Sequence, residues 1–333
     1  MATGKIALVD TPNQIIQPMP APSTTFVSSS ENVAVLVPTY NPGPLWLDFL
    51  AGLMAQTPPP AHCWVLDSES TDGSLAQTAQ VGIVVHAVER KRFNHGGTRQ
   101  WGIDRLPAGV EFVVFLTQDA VLADPEAIGR LLSGFSDPEV AAVYGRQLPH
   151  PQASAIAAHA RQFNYPAQSQ TRRWSDKESL GIKTCFLSNA FAAYRLSALR
   201  EVGGFSTRVI VGEDTHLAAR LLQQGHAIRY EAQALVYHSH NYSLTSEFAR
   251  YFDTGVFHHD ENWMIRDFGK AGREGFRFLK SEIRFLIRHA PGRLPEAMLR
   301  TVLKALAYRL GCMHTRWPLA LKKQLSMHKG FWA

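Results

Sequence analysis

VAVLVPTYNPG, residues 33–43, is the stretch on which the fold turns. Its first five residues are apolar and rich in valine, with no polar residue alternating. That is the pattern of a strand buried on both faces. PTYNPG is a turn cluster. LWLDFLAGLMAQ (45–56) follows, with Leu45, Phe49, Leu50 and Leu53 at helical spacing. Strand, turn and helix in that order open a parallel α/β unit.

The alternation continues downstream. CWVLD (63–67), IVVHAV (83–88), FVVFL (112–116) and VAAVYG (140–145) read as strands. TRQWGIDRL (98–106) reads as a helix, and so does DPEAIGRLLSGF (124–135), with Asp124 as N-cap and Pro125 at the first helical position. A mostly parallel sheet with right-handed crossovers is predicted. Such sheets bind ligands at the carboxyl ends of their strands. Here those ends are PTYNPG, DSESTDGS (67–74), RKRFNHGG (90–97) and TQDA (117–120).

The second half is less regular. Residues 146–180 have no clear period and read as a long loop region. CFLSNAFAAYR (185–195) reads as a strand entering a helix, and EDTHLAARLLQQGH (213–226) as a helix ending at Gly225. ALVYHSH (234–240) reads as a strand ending in two histidines, and the chain is helical from Ser246. Three regions are expected: a flexible Pro-, Ser- and Thr-rich leader (1–31), an α/β catalytic domain (32–245) and a basic helical extension (246–333).

The chain has 333 residues, 45% hydrophobic and 19% charged, so disordered and fibrous classes are excluded. No apolar run approaches the ~18 residues of a membrane span. Cys63, Cys185 and Cys312 lie too far apart for a Cys-rich zinc site or a disulfide framework, which fits a reducing cytoplasm. No dinucleotide, P-loop or nucleophile-elbow motif is present.

The net charge of +6 is unevenly placed: residues 266–333 hold 15 Lys and Arg against 4 Asp and Glu. That tail carries +11 and leaves −5 for the first 265 residues. Around 273–288 aromatic and aliphatic residues interleave with Arg273, Arg277, Lys280, Arg284 and Arg288. A basic amphipathic helix of this kind suits a membrane interface. The competing reading is a helix packed on the catalytic domain with a solvated basic face. No nucleic-acid reader motif occurs, so no nucleic acid partner is expected.

Five groups carry candidate chemistry. Asp119, just beyond a buried strand, suits a divalent cation, which favours hard oxygen ligands. Asp67 suits a pyrimidine imide or a ribose, whereas Asp72 reads as a cap. In RKRFNHGGTRQ, glycines admit a ligand to the backbone and arginines match phosphate, although Arg90 and Lys91 read as solvated loop. Glu213 and Asp214 open a helix, where one of them suits a catalytic base. His238 and His240 share a side if their strand continues, and one imidazole suits the metal at Asp119. His258 and His259 beside Asp260 read as structural.

The order of these motifs (VAVLVPTYNPG, VLDSESTDGS, FNHGGTRQWGID, FLTQDA, GED, YHSHNYS) resembles the family 2 nucleotide-sugar glycosyltransferases of GT-A fold. Within them it resembles bacterial rhamnosyltransferases of surface (O-antigen type) polysaccharide synthesis, over roughly residues 33–330. The resemblance implies that Pro38 and Thr39 line the nucleoside pocket and Asp67 binds the base. His95, Gly97 and Arg99 would contact the diphosphate-sugar, with Gln118 close to the donor. Asp119 and His238 would hold Mg²⁺ or Mn²⁺. Asp214 would be the base, with Glu213 beside it. Thr117 departs from the family pattern, standing where the first acid of D-x-D is usual.

The implied reaction is inverting transfer of L-rhamnose from dTDP-β-L-rhamnose to a saccharide acceptor, lipid-linked, by an enzyme peripheral at the inner face of the cytoplasmic membrane. A UDP-sugar such as UDP-galactofuranose is the alternative donor. A catalytically silent, membrane-bound assembly partner is the alternative without chemistry.

Overall fold

Both faces of the first strand are buried, as its sequence requires. Ala34 and Leu36 enter one core cluster, while Val33, Val35 and Val37 enter the other. A computed structural model describes residues 30–270, 272 and 274–332, so nearly all of the leader expected at 1–31 lies outside the described residues.

The strands are β1 (Val33–Thr39), β2 (His62–Asp67), β3 (Val84–Ala87), β4 (Phe112–Leu116), β5 (Val121–Leu122), β6 (Val140–Leu148), β7 (Gln170–Arg172), β8 (Phe191–Arg195) and β9 (Ala227–Tyr237). The helices are α1 (Trp46–Met54), α2 (Ser74–Gln80), α3 (His95–Ile103), α4 (Ala127–Ser133), α5 (Ala155–Asn164), α6 (Lys177–Leu180) and α7 (Leu196–Glu201). Six more follow: α8 (Glu213–Gln223), α9 (Leu244–Asp260), α10 (Asn262–Phe268), α11 (Glu274–His289), α12 (Leu294–Cys312) and α13 (Leu319–Leu325).

One sheet runs in the order β3-β2-β1-β4-β8-β6-β9-β5, with β7 paired to β9. The expectation of a mostly parallel sheet holds for its first half. Pairs β1–β2, β1–β4 and β2–β3 are parallel. The second half is mixed, because β8 lies antiparallel between β4 and β6. Two reversals restore direction, so β6 and β9 point the same way as β4. The carboxyl end of β9 therefore opens on the same edge as those of β1, β2 and β4.

Three local expectations are corrected. Residues 146–180 are not a loop: they hold the end of β6, helix α5, β7 and α6. Helix α5 is capped by Ser154, whose Oγ accepts from the Ala157 amide at 3.2 Å. Its aromatic partners lie more than 100 residues away, where His159 and Phe163 pack on Phe278. Asp124 is not the N-cap of α4. It accepts from the Glu126 amide at 2.9 Å in the preceding turn, and the helix starts at Ala127. The strand expected from 185 begins at Phe191.

The basic extension is part of the core. Phe252, Val256 and Phe257 of α9, Met264 and Phe268 of α10, and Trp332 share a cluster with β1, β4 and α8. Helices α9 and α12 cross where glycines meet backbone: a Cβ on Gly311 would lie 2.0 Å from the Phe252 carbonyl oxygen. On α11, Glu282 and Leu286 are buried, and Phe285 turns inward to His159. Phe276 and Ile287 stay exposed beside Arg277, Lys280, Arg284 and Arg288. Among the described residues no helix is long and apolar enough to cross a membrane.

Candidate active site

The strand ends that share the sheet edge bring Asp119 to the two histidines. β5 pairs antiparallel with β9 in the register Val121↔Tyr237. Carried two residues further, that register sets Asp119 opposite Ser239, between His238 and His240. His238 Nε2 lies 3.5 Å from Asp119 Oδ1, and His240 Nδ1 lies 3.6 Å from Oδ2. Sequence reasoning placed only His238 in the metal site; both imidazoles converge on it. The strand ends at Tyr237, so it is the turn after β9 that presents them.

A supporting shell fixes the rings. Gln147, at the end of β6, accepts from Arg161 and from His238 Nδ1, the latter at 2.8 Å. Arginine can only donate, so this oxygen is an acceptor and His238 carries its proton on Nδ1. Nε2 is then the nitrogen facing Asp119. It donates to the carboxylate when the ring is charged and offers a lone pair to a cation when it is neutral. Burial opposes charge on Asp119, but His238 and His240 outweigh it and hold the carboxyl below its usual range. Burial pulls the His240 imidazole down to about 4, with His238 adding to the effect, so that ring is neutral at pH 7. A carboxylate and two imidazoles whose ligand atoms lie within 4.8 Å of one another fit a divalent cation.

Glu213 and Asp214 begin α8 after Gly212, whose φ of 73° admits the sharp entry. The two acids have different surroundings. Glu213 is buried and pairs with Arg99 Nη1 at 3.0 Å, and it accepts from Asn189 Nδ2 at 3.2 Å. Burial opposes its charge, but Arg99 and then His95 hold its pKa down. Asp214 is half-buried and lines a cavity of about 480 Å³ with His238 and His240. Burial first, then the Glu213 charge, push its carboxyl up to about 6. The amides of Asn189 and Thr215 donate to it at 3.1 and 2.7 Å and fix its direction. Both acids line the cavity, but Glu213 is tied to Arg99 and Asn189, whereas Asp214 pairs with no cation among the described residues and sits near the pKa of a useful base.

A second cavity, of about 700 Å³, lies over the ends of β1 and β2. Tyr40 and Ser68 line it, whereas Thr39 is buried with its hydroxyl donating to the Val37 carbonyl at 3.0 Å. Pro38 lies within β1, paired with Leu66. Gln118 reaches back to β1: its Oε1 accepts from the Tyr40 amide at 2.7 Å, and its Nε2 donates to the Tyr40 carbonyl at 3.1 Å. Asp67 is buried with both oxygens engaged by Ser70. Asp72, expected as a cap, is not the N-cap of α2, which is Gly73; it accepts from the Ser74 amide at 3.2 Å in the turn before the helix.

The glycine-rich loop departs from expectation in three respects. Gly96 is required by the chain itself, because a Cβ there would lie 2.0 Å from the Ser206 carbonyl oxygen. The Gly97 amide is already spent on the Asn94 cap at 2.9 Å. Arg99, expected at the diphosphate, is 3% exposed and faces Glu213. Its place at the cavity is taken by Arg90 and Lys91, read from sequence as solvated loop. The Arg90 guanidinium stacks on Tyr40 at 4.1 Å. His95 lines the same cavity, and burial lowers its pKa. Tyr40, Gln147 and Asn189 were missed and carried no signal. His240 was weighed with His238 as one ligand of two, and the structure brings both rings to Asp119.

A mixed sheet with helices on both faces, an acid-and-histidine group at its edge and a carboxylate at a helix start define a GT-A architecture. The glycosyl transferase family 2 model matches residues 34–203. The O-antigen chain rhamnosyltransferase RfbN of Salmonella typhimurium is 46% identical over 301 residues, covering 90% of this chain and 96% of that one. WbaN of Salmonella anatum, an O-antigen chain rhamnosyltransferase, is likewise 46% identical over 301 residues, covering 90% and 95%. Among solved structures, the mannosyltransferase PcManGT from Pyrobaculum calidifontis, in complex with GDP-Man and Mn²⁺, aligns with a TM-score of 0.52 at 22% identity. That alignment covers 90% of this chain and 84% of that one and shows the shared fold. The chain belongs to glycosyltransferase family 2 and is an inverting glycosyltransferase.

Proposed function

We propose that the chain transfers L-rhamnose from dTDP-β-L-rhamnose to a saccharide acceptor carried on a lipid, in the assembly of a bacterial surface polysaccharide. The observation that carries the chemistry is Asp214, half-buried on the 480 Å³ cavity with a raised pKa and sharing it with His238 and His240. The rhamnose donor is supported by the 46% identity to RfbN over 90% of the chain.

Inversion needs one in-line displacement. Asp214 takes the proton of the acceptor hydroxyl as its oxygen bonds to the anomeric carbon. The bond from that carbon to the diphosphate oxygen breaks, and the electron pair leaves with dTDP. Glu213, charged and locked by Arg99, keeps the Asp214 carboxyl basic enough to accept the proton. Asp119, His238 and His240 would hold Mg²⁺ or Mn²⁺. A cation bound there supplies charge to neutralise the departing diphosphate. Thr117 leaves the site one carboxylate short of the usual pattern, and His240 supplies a further ligand.

The nucleotide would occupy the 700 Å³ cavity, its base near Tyr40 and Ser68 and its phosphates near Arg90 and Lys91. Asp67, buried behind Ser68 with both oxygens on Ser70, would support that end of the site. The acceptor would enter over α5 and α9, which line the 480 Å³ cavity. The exposed face of α11, with Phe276 and Ile287 among four basic residues, would rest on anionic lipid at the inner leaflet. Residues 32–245 would thus be the catalytic unit and 246–333 its membrane-facing extension.

The test is turnover of dTDP-β-L-rhamnose and UDP-galactofuranose side by side with a lipid-linked oligosaccharide, with and without EDTA. Rhamnosylated product dependent on divalent cation is expected. Consumption of the UDP-sugar alone would overturn the donor.

A further inference from the structure

We infer that the carboxyl-terminal segment, residues 327–331, is the outer wall of the nucleotide pocket and that Lys329 supplies a cation to the donor diphosphate. The inference rests on the reading of the 700 Å³ cavity as the nucleotide site. Tyr40, Arg90 and His95 form one side of that cavity; His328, Lys329 and Phe331 form the other. The two sides come from loops more than 200 residues apart in sequence.

The wall is anchored at several points. Asp253 on α9 is 0% exposed, and its Oδ2 accepts from the amides of Met327 at 2.9 Å and His328 at 3.1 Å. A buried carboxylate with two main-chain donors is a strong, directional tie. Ser326 and Trp332 at either end are buried, at 2% and 8% exposure, whereas Met327, Lys329 and Gly330 between them are exposed. The His328 ring meets His95 edge-on at 4.9 Å and closes one end of the cavity. Nearby, His314 Nε2 bonds to Asp260 Oδ1 at 2.8 Å and ties the chain before the segment to α9.

The chemistry of the enclosed space selects an anion with an aromatic part. Arg90, Lys91 and Lys329 surround it. Glu89 pairs with Lys91 at 3.3 Å, and no carboxylate among the described residues pairs with Lys329. Tyr40 and Phe331 give its lining aromatic character. A nucleoside diphosphate has both features. Asp253 acts through the segment it holds and is a positioning residue.

The experiment is equilibrium binding of dTDP, dTMP and thymidine, with Mn²⁺, to the full chain and to Lys329→Gln, Phe331→Ala and Asp253→Ala. Lys329→Gln removes an exposed charge and leaves the fold intact. It is expected to weaken dTDP about fivefold, the scale of a solvent-accessible charge pair, and to leave thymidine unchanged. Phe331→Ala is expected to weaken all three ligands alike. Asp253→Ala is expected to raise donor KM at unchanged acceptor KM; if it does not fold, the exposed Lys329→Gln still decides. Equal dTDP affinity in Lys329→Gln and the parent chain overturns the wall. A parent chain that binds no nucleoside diphosphate at all removes the nucleotide-site reading itself, and the wall with it.

Discussion

Replacing Arg99 with methionine separates two roles for one residue. Family resemblance assigns Arg99 to the donor diphosphate; the structure pairs it with Glu213 at 3.0 Å, with side chains 4% and 9% exposed. At that distance the direct attraction is about 5.5 kcal/mol for an effective dielectric of about 20. Desolvation of both charges offsets much of it. Removing one partner, however, leaves the other charge buried and uncompensated, which typically costs about 3–5 kcal/mol. Arg99 also donates to the His95 carbonyl at 2.9 Å, so the start of α3 loses a tie as well. Arg99→Met should therefore lower unfolding free energy by about 3 kcal/mol, a large share of a typical total of roughly 5–15 kcal/mol. Glu213→Gln should cost a similar amount, and the double variant much less than the sum. Urea unfolding of the four proteins gives the coupling energy directly. A coupling below about 0.5 kcal/mol, with Arg99→Met folded normally but weak in donor binding, would return Arg99 to the diphosphate and refute the buried-pair argument.

The remaining predictions are shorter. Asp214→Asn should lower kcat by about 10²–10⁴ with donor affinity retained. Because the Asp214 carboxyl is raised to about 6 and must be ionised to accept a proton, kcat/KM should be flat above that pH and fall about tenfold per unit below it; a profile flat to pH 4.5 would exclude it as the base. Gln147→Leu should weaken Mn²⁺-dependent donor binding about 10–100-fold by freeing His238, without touching the ligand set. Gly96→Ala should destabilise by at least about 1–3 kcal/mol, because its Cβ would meet backbone at 2.0 Å, whereas Gly97→Ala, with its nearest contact at 3.5 Å, should be tolerated in thermal melts. Charge reversal at Arg277, Lys280, Arg284 and Arg288 should reduce co-sedimentation with anionic liposomes; unchanged binding would leave α11 as a packing helix only.

Much of the parallel half was readable because its signals are local. VAVLV and FVVFL are buried on both faces, so they are apolar without alternation, and each carries its loop to the sheet edge. The places of Asp119 and of the Glu213-Asp214 pair were readable for the same reason, one following a strand and the other opening a helix; only the family resemblance chose between the two acids. Helix α5 was not, since the residues it buries are a small Ala157 and a polar His159 and its partners Phe278 and Phe285 lie more than 110 residues on. The roles of Arg99 and Arg90 were exchanged for a similar reason. Both are arginines near a glycine pair, and only the turn of α3 decides which one faces Glu213 and which one faces the cavity.

Residue order alone thus set much of the strand-and-helix alternation, the sheet edge to which the loops are carried and the residue types available there. Tertiary structure decided which of those residues meet. His240 joins Asp119 because two antiparallel reversals bring β9 round parallel to β4, and because β5 pairs with its end. Glu213 and Asp214, adjacent and alike in sequence and both on the 480 Å³ cavity, differ because only Glu213 pairs with Arg99. The basic tail, in sequence a single block of charge, is divided by packing into a buried anchor, an exposed face and a wall. Pairing register and burial are long-range quantities, fixed by contacts between segments that share no local pattern.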